Sequence, residues 1–203
     1  MTDSFTLTAV LLAGGQGSRL GGRDKGLMSW HGQPVASHLA GRLRRVAAPV
    51  LISCNRNLEQ YRQWADALVT DSIADYPGPL AGIAEAMKLC RTSHLLVIPC
   101  DVPQLPVELL QSLIAQARQR PDCVWLVRVG EHWQPLVSII PTSLRESLMQ
   151  AWEAGQRSPL RWMLAQPNQV LQLPDDDPRM HNANTAQDWP EQPEATSNGH
   201  AER

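Results

Sequence analysis

The sequence lacks the cysteine and histidine patterns that indicate a transition-metal site. Its 203 residues include four cysteines, and no two of them form a Cys-x-x-Cys pair. The six histidines likewise provide no His-Glu-x-x-His or comparable ligand spacing. These absences argue against a zinc enzyme and against a disulfide framework. A site for a hard cation, built from carboxylates, remains open.

Long apolar runs are also missing. Runs such as residues 95–98 are far shorter than the roughly 20 residues that a membrane-spanning helix needs. The first residues, 1–4, contain no basic group of the kind that opens a signal peptide. We therefore expect a cytoplasmic protein that makes no contact with a membrane.

Neither sign of charge is in excess. The 18 basic and 20 acidic residues leave a formal net charge of -2. Such a chain has no overall field that would hold it on nucleic acid or anionic lipid, so any anionic ligand must meet a local cluster of cations. We expect no nucleic-acid partner, and the small size and near-neutral charge lead us to expect a monomer.

Three short apolar runs in the first half of the chain have the character of buried strands. They cover residues 9–12, 50–52 and 95–98, and none of them alternates between apolar and polar residues. Strands of this kind are typical of a parallel sheet that is covered on both faces. Between and after them, apolar residues recur at helical spacing; they include Leu39, Leu43, Val46, Leu80, Ile83, Met87, Leu109 and Leu113. The pattern predicts an α/β fold, mainly a parallel sheet with helices on both faces.

The second half of the chain is less regular. It predicts strands over residues 124–129, 136–140 and 170–173, and a helix over residues 142–154. We assign residues 1–189 to one domain. Residues 190–203 have almost nothing to bury, which predicts a disordered tail.

A glycine-rich segment follows the first predicted strand. Residues 12–25 read Leu-Ala-Gly-Gly-Gln-Gly-Ser-Arg-Leu-Gly-Gly-Arg-Asp-Lys, with five glycines and three cations. Glycine lets several backbone N–H groups point into one concavity, and Arg19 and Lys25 can neutralise an anion held there. The alternative is a flexible loop whose charges are solvated. Strand, glycines and cations together favour a phosphate-binding site.

Two better-known phosphate-binding motifs do not fit this segment. No Gly-Lys pair followed by Ser or Thr is present, so it is not a Walker loop. A dinucleotide fingerprint finds Gly15 and Gly17, but Leu20 stands where the third glycine belongs. The next predicted strand also ends without an acidic residue for a ribose. A nicotinamide-dependent oxidoreductase is therefore disfavoured.

Two aspartates follow predicted strands. Asp101 lies in the string 99–103 that directly follows the strand at residues 95–98, where a parallel sheet presents side chains to its ligand crevice. One carboxylate beside a nucleoside triphosphate suffices for Mg²⁺, since that ion keeps several waters and binds phosphate oxygens. A simple turn aspartate is the alternative. Asp71 follows the apolar residues 67–69 and could lie at the same edge, although its position alone favours a turn before a helix.

Four segments together resemble one enzyme family. They are the loop at residues 12–25, the string Asp-Ser-Ile-Ala-Asp-Tyr-Pro-Gly-Pro-Leu-Ala-Gly at 71–82, Pro-Cys-Asp-Val-Pro at 99–103, and His-Asn-Ala-Asn-Thr at 181–185. In this order they are similar to the molybdenum cofactor guanylyltransferases. The first loop is shared by many sugar and alditol nucleotidyltransferases, and the segment at 71–82 narrows the resemblance considerably.

The resemblance implies a fold, a reaction and a set of partners. The fold would be that of Rossmann-like nucleotidyltransferases. The reaction would move GMP from GTP onto molybdopterin or Mo-molybdopterin, with release of pyrophosphate and with Mg²⁺ as cofactor. Cofactor-synthesis proteins and recipient molybdoenzymes are the further partners that it suggests.

The resemblance also implies roles for individual residues. Asp101 would bind Mg²⁺, and Asn182 and Asn184 would lie on the acceptor side. The expected catalytic residues are Arg19, Lys25 and Asp101. The expected nucleotide contacts are Leu12, Ala13, Gly14, Gly15, Lys25, Ser53, Asp71 and Asp101. Family members often have asparagine at the position of Ser53, so either its hydroxyl or the nearby Asn55 would have to replace that contact.

Two other interpretations stay open at this point. The first keeps the fold and changes the substrate, giving a cytidylyltransferase for molybdopterin or a transferase for another phosphorylated acceptor. The second is a non-catalytic carrier that binds nucleotide and pterin cofactor. The presence of Asp101 and both loop cations argues against the carrier, because a carrier has less need of a metal ion at the α-phosphate.

Overall fold

The computed structural model describes residues 5–14, 22–71 and 78–189, and within these ranges seven strands form one sheet. They are β1 (Leu7–Leu12), β4 (Val50–Ser53), β5 (Ala67–Val69), β6 (His94–Pro99), β7 (Val124–Val129), β8 (His132–Pro141) and β9 (Asn168–Leu173). Their order across the sheet is β5-β4-β1-β6-β8-β7-β9. Only β8 runs antiparallel to its neighbours. The prediction of a mainly parallel sheet is confirmed.

Helices cover both faces of this sheet. The helices are α1 (Val35–Leu43), α2 (Leu58–Arg62), α3 (Pro79–Leu89), α4 (Val107–Gln119), α5 (Arg145–Glu153) and α6 (Pro159–Leu164). Ala9 and Leu11 of β1 belong to one core with residues of α1 and α4, while Val10 belongs to a second core with residues of α3, α5 and α6. Because successive side chains of a strand point to opposite faces, both sets must be apolar. This explains why the strand sequences do not alternate.

The order of the strands creates a crevice between β1 and β6. After β1 the chain continues to β4 and β5 on one side, and it then returns to β6 on the other side of β1. Neighbouring strands whose connections leave in opposite directions open a gap at their carboxyl ends, where α/β proteins bind ligands. Residues 13–14 of the glycine-rich segment follow β1 and Asp101 follows β6, so both lie at this gap.

Several elements differ from the sequence expectations. Helix α1 ends at Leu43, and Val46 lies in the turn that follows. The helix expected over residues 142–154 begins as a 3-10 turn and becomes α-helical only at Arg145. Three elements were not predicted from the sequence: α2, α6 and a small hairpin of β2 (Ser29–Trp30) and β3 (Gln33–Pro34). These elements are too short for a clear hydrophobic period.

No helix within the described ranges is long and apolar enough to cross a membrane. The predicted disordered tail, residues 190–203, lies outside the described residues, and that expectation stays a prediction.

Candidate active site

The carboxyl ends of four neighbouring strands place the predicted site residues side by side. In the sheet register Leu12 lies opposite both Ser53 and Pro99, and Ser53 lies opposite Val69. The ladder continues one step further, since the Cys100 N–H donates to the Leu12 carbonyl over 3.0 Å. The segments that follow each strand therefore start at one edge of the sheet.

Three of the predicted residues meet at the gap between β1 and β6. Nζ of Lys25 lies 3.6 Å from Oδ2 of Asp101 and donates to Oδ1 of Asn184 over 2.7 Å. The Lys25 and Asp101 side chains are 21% and 28% exposed, so both are open to a ligand. Cation, carboxylate and amide come from three separate parts of the sequence. This cluster is the centre of the candidate site.

The Asp101 carboxyl group is in an environment that penalises an uncompensated negative charge. Burial raises its pKa above the ordinary value, and the nearby Lys25 ammonium opposes that shift. A carboxylate in such a place is stabilised by positive charge, whether from a lysine or from a bound cation. The neighbouring Cys100 is buried, and burial raises the pKa of its thiol. Cys100 therefore remains a protonated thiol, unsuited to nucleophilic attack.

The segment after β9 folds back onto the loop that carries Asp101. The Ala183 N–H donates to the Asp101 carbonyl over 2.8 Å, which holds the segment that carries Asn182 and Asn184 next to that loop. Oδ2 of Asp188 accepts the N–H groups of Asn184 and Thr185 over 2.9 and 2.7 Å, and it also accepts the Thr185 hydroxyl. One carboxylate oxygen thus fixes the turn that presents Asn184.

An aromatic contact anchors the end of this segment. Trp189 is 5% exposed, and its ring lies edge-on to that of Trp30, with 6.1 Å between the ring centres. Trp30 belongs to the β2–β3 hairpin that leads from the first loop into α1. Asn182 is exposed beside the buried Ala183. The segment is therefore held at its end, and Asn184 contacts Lys25 at the gap.

The residue before Lys25 is the centre of a hydrogen-bond network. Oδ1 of Asp24 accepts the Tyr61 hydroxyl over 2.5 Å and the Gly26 N–H over 3.2 Å. Oδ2 accepts the Asn57 side-chain amide over 2.8 Å and lies 3.6 Å from Nε of Arg56. The Asp24 side chain is only 6% exposed. Both of its oxygens are thus occupied by groups of the protein.

Asp71 is fixed by an asparagine on the neighbouring strand end. Nδ2 of Asn55 donates to Oδ2 of Asp71 over 2.7 Å, and Oδ1 of Asn55 accepts the Asp71 N–H over 2.9 Å. The other carboxylate oxygen of Asp71 is buried and has no hydrogen-bond partner among the described residues. A buried acceptor without a donor lowers the stability of the fold, and a ligand that donates to it removes this cost.

Ser53, at the end of β4, packs against both the first strand and helix α3. The Ser53 carbonyl accepts the Ala13 N–H over 2.8 Å, and Ser53 itself is buried. A β-carbon added at Gly82 of α3 would lie 2.6 Å from the Ser53 hydroxyl oxygen, so the helix packs closely on the strand end here. A β-carbon added at Gly14 would lie 3.6 Å from Nδ2 of Asn55 and 3.7 Å from the Ser53 carbonyl oxygen, so the three residues are neighbours in the predicted nucleotide site.

Some predicted residues fall outside the described part of the chain. They are Gly15 and Arg19 of the glycine-rich segment, and residues 72–77 of the string that narrowed the resemblance. Their roles stay predictions.

Comparison with known proteins decides the family. A sequence model of the MobA-like NTP transferase domain matches residues 9–170, well over half of the chain. The chain is 47% identical over 180 residues to a molybdenum cofactor guanylyltransferase of Pseudomonas fluorescens SBW25, covering 89% of this chain and 90% of that protein. The chain belongs to the molybdenum cofactor guanylyltransferase family.

Further members of the family and a solved structure agree with this assignment. A molybdenum cofactor guanylyltransferase of Ectopseudomonas mendocina ymp is 45% identical over 182 residues, covering 90% of this chain and 89% of that protein. The fold is similar to that of molybdopterin-guanine dinucleotide biosynthesis protein A from Archaeoglobus fulgidus, with a TM-score of 0.69. That pair is 19% identical over 89% of this chain and 94% of the other, so the likeness shows the nucleotidyltransferase fold alone.

The residues that orient the site residues of this family member through hydrogen bonds were not predicted from the sequence. Asp24 and Tyr61 received no role because they lie 37 positions apart and form no recognisable motif. Asp188 has a local signal, since an acidic residue three positions after Thr185 can accept from the backbone of a turn. Asn55 was weighed only as a replacement for Ser53, and the structure gives it a separate contact with Asp71.

Proposed function

We propose that the chain transfers GMP from GTP to the terminal phosphate of molybdopterin, releasing pyrophosphate and forming the guanine dinucleotide cofactor. The observation that carries this proposal is the meeting of Lys25, Asp101 and Asn184 at the crevice of a chain from this family. Two loops after parallel strands supply the charges, and the C-terminal segment supplies the amide. The same arrangement suits two anionic substrates that must be brought together.

The reaction needs little acid–base chemistry from the protein. The acceptor is a phosphate monoester, already anionic near neutral pH, whose oxygen attacks the α-phosphorus of GTP. The bond from that phosphorus to the bridging oxygen breaks, and the electron pair leaves with pyrophosphate. The difficulty is repulsion between two polyanions. The Lys25 ammonium reduces that repulsion and helps to align the attack, and we assign a similar role to Arg19.

The carboxylate of Asp101 fits a bound magnesium ion. It is a hard oxygen donor and is partly exposed. Because burial disfavours its ionised form, a cation bound beside it would stabilise that form. No group of three or more His, Cys, Asp or Glu side chains in the described ranges could hold a metal ion. Asp101 would therefore share the ion with water and phosphate oxygens, as Mg²⁺ prefers. When bound, the ion would screen the charge that develops on the triphosphate.

The Asp71 oxygen that has no hydrogen-bond donor among the described residues favours guanine over cytosine. Guanine carries an imino N–H and an adjacent amino group on one edge, so it can donate twice to a carboxylate. Cytosine carries a single amino group on the corresponding edge. The buried Oδ1 of Asp71, which has no donor among the described residues, can accept one of these bonds, and Oδ2, which accepts from Asn55, can accept the second with its other lone pair. This observation supports GTP rather than CTP as the donor nucleotide.

Partners and assembly follow from the proposed reaction. The product is a cofactor, so proteins of cofactor synthesis would supply its precursor and molybdoenzymes would receive it. We propose that the chain carries out the transfer as a monomer, since the cluster of Lys25, Asp101 and Asn184 is assembled from one chain.

The experiment that tests this function measures pyrophosphate release with GTP and Mg²⁺, with and without molybdopterin. We expect release that requires the acceptor and falls at least a hundredfold in Asp101→Ala, by analogy with the loss of other electrostatic groups at reacting centres. Asp122→Ala is the control, because Asp122 is 68% exposed and pairs with Arg120. Normal turnover in Asp101→Ala, or release that ignores the acceptor, would refute the assignment.

A further inference from the structure

Asp24 is a nearly buried carboxylate for which the proposed reaction has no direct use. Its side chain is 6% exposed, and protein groups occupy both oxygens. A carboxylate so enclosed has no free position for a metal ion or a substrate. A negative charge beside a triphosphate site would also repel the ligand. Its role must therefore lie in what it holds.

Tyr61 is the most buried partner of Asp24. Tyr61 is fully buried, and burial together with the hydrogen bond to Asp24 raises the pKa of its hydroxyl. The hydroxyl therefore stays protonated and donates to Oδ1 of Asp24. The chain passes very close to it: a β-carbon added at Gly26 would lie 2.2 Å from the Tyr61 hydroxyl oxygen. Only glycine allows the backbone after Lys25 to take this path.

The loop after β4 completes the network from the other side. Asn57 donates its side-chain amide to Oδ2 of Asp24, and Arg56 donates to the Gly22 carbonyl over 2.8 Å. Asn57 has a left-handed backbone with φ of 55°, which turns the chain into α2. The network therefore holds the backbone on both sides of Lys25, at Gly22 and Asp24 before it and at Gly26 after it.

We propose that Asp24 is a positioning residue for the transfer reaction, which acts by fixing the Lys25 backbone so that the ammonium reaches the phosphates. Lysine has a long and flexible side chain, so the place of its ammonium depends on where its backbone is held. The Tyr61 hydroxyl is the donor that orients the Asp24 carboxylate. This inference rests on the proposed function, because Lys25 is its target.

A double-mutant cycle separates this role from general stabilisation. In Asp24→Asn one acceptor oxygen becomes a donor, which opposes either the Asn57 amide or the Tyr61 hydroxyl. We expect kcat/KM for GTP to fall about tenfold in the wild-type background, since small displacements of a positioning group are costly. In a Lys25→Ala background we expect the same change to matter less than twofold, because there is no ammonium left to position.

A matched control comes from a second carboxylate network far from the site. Asp66 accepts from Arg44 over 2.9 Å and from the Val50 N–H over 2.7 Å, at the opposite ends of β4 and β5. Asp66→Asn should lower the melting temperature and leave kcat unchanged. Equal losses from Asp24→Asn in both Lys25 backgrounds would overturn the inference, since they would mean a purely structural role.

A second variant keeps the inference testable if Asp24→Asn folds poorly or the wild-type protein shows no transfer. Tyr61→Phe removes one hydroxyl from a buried site and leaves the ring. We expect hydrogen exchange of the peptide covering residues 22–28 to be several-fold faster, with no change in the peptide covering residues 66–69. Unchanged exchange at residues 22–28 would overturn the inference. Altered exchange in a protein without GTP-dependent transfer would refute the proposed function alone.

Discussion

The Lys25 ammonium donates to the Asn184 side chain over 2.7 Å, although the two residues are 159 positions apart in the sequence. The bond joins the first loop of the predicted nucleotide site to the segment that follows β9. Asp101 lies within 3.6 Å of the same ammonium. Lys25 thus connects the expected donor side of the reaction to the expected acceptor side. Changes that displace either segment should therefore alter the binding of both GTP and molybdopterin.

The turn that presents Asn184 should depend on pH through Asp188. Hydrogen bonds from the Thr185 backbone and hydroxyl, with a contact to His181, hold the pKa of Asp188 well below its usual range. A lowered pKa means that the folded protein stabilises the ionised form of Asp188. Its contribution to stability is therefore present above the ordinary carboxyl pKa of about 4, and it is lost as the pH falls through the folded-state pKa.

Thermal unfolding of Asp188→Asn between pH 7 and pH 3 checks this expectation. The variant should melt below wild type at pH 7, and the difference should shrink as the pH falls below about 4. Glu131→Gln, at an acid that is 90% exposed, serves as the control. A difference that stays constant across this range would show that the Asp188 charge does not hold the turn.

Gly26→Ala should destabilise the protein, and Tyr61→Phe should partly reverse the loss. The added β-carbon would lie 2.2 Å from the Tyr61 hydroxyl oxygen but 3.0 Å from the two nearest ring carbons. Overpacking of a buried site costs about 1–3 kcal/mol, and removing the hydroxyl relieves the worst contact. The free energies of unfolding of the two single variants and the double variant measure this directly. Additive losses would mean that the two groups do not meet.

Asn55→Ala should weaken the recognition of guanine. Asn55 makes both of the hydrogen bonds that fix Asp71 to the neighbouring strand end. Without them the carboxylate is free to turn, and its preference for two adjacent donors should weaken. We expect KM for GTP to rise about tenfold, and the preference for GTP over inosine triphosphate, which lacks the 2-amino group, to shrink.

The control for this variant is Asn168→Ala at the start of β9. Asn168 also donates its side-chain amide to nearby carbonyls, including that of Gln166 over 2.8 Å. It lies on the edge strand away from the site, so KM for GTP should stay at the wild-type value. An unchanged GTP preference in Asn55→Ala would remove Asp71 from base recognition.

The sheet was predictable from sequence because its central strands are buried on both faces. Residues 9–12 and 95–98 had to be apolar throughout, since their side chains serve two separate cores. The antiparallel β8 was less accessible, because strand direction depends on the connection and not on composition. The β2–β3 hairpin had one overlooked signal. His31 and Gly32 adopt φ of 50° and 83°. Two-residue hairpin loops with positive φ at both positions favour glycine at the second position.

The position of a site residue was predictable from the sequence only where that residue comes soon after a predicted strand. Asp101 and two early residues of the glycine-rich segment, Ala13 and Gly14, follow the carboxyl ends of β6 and β1, because parallel strands end together. The groups that orient them were not predictable in the same way. The contacts of Asp24 with Tyr61 and of Lys25 with Asn184 join parts of the chain that are 37 and 159 positions apart. No local pattern specifies contacts of that kind.

The central claim is that the chain moves the GMP unit of GTP onto a pterin phosphate at the gap between β1 and β6. Its most direct test follows GTP labelled at the α-phosphate, incubated with Mg²⁺ and molybdopterin and resolved by product. We predict that the label enters a pterin dinucleotide, with the β- and γ-phosphates released together as pyrophosphate. Label that remains in GTP, or appears only in GDP or free GMP, would contradict it.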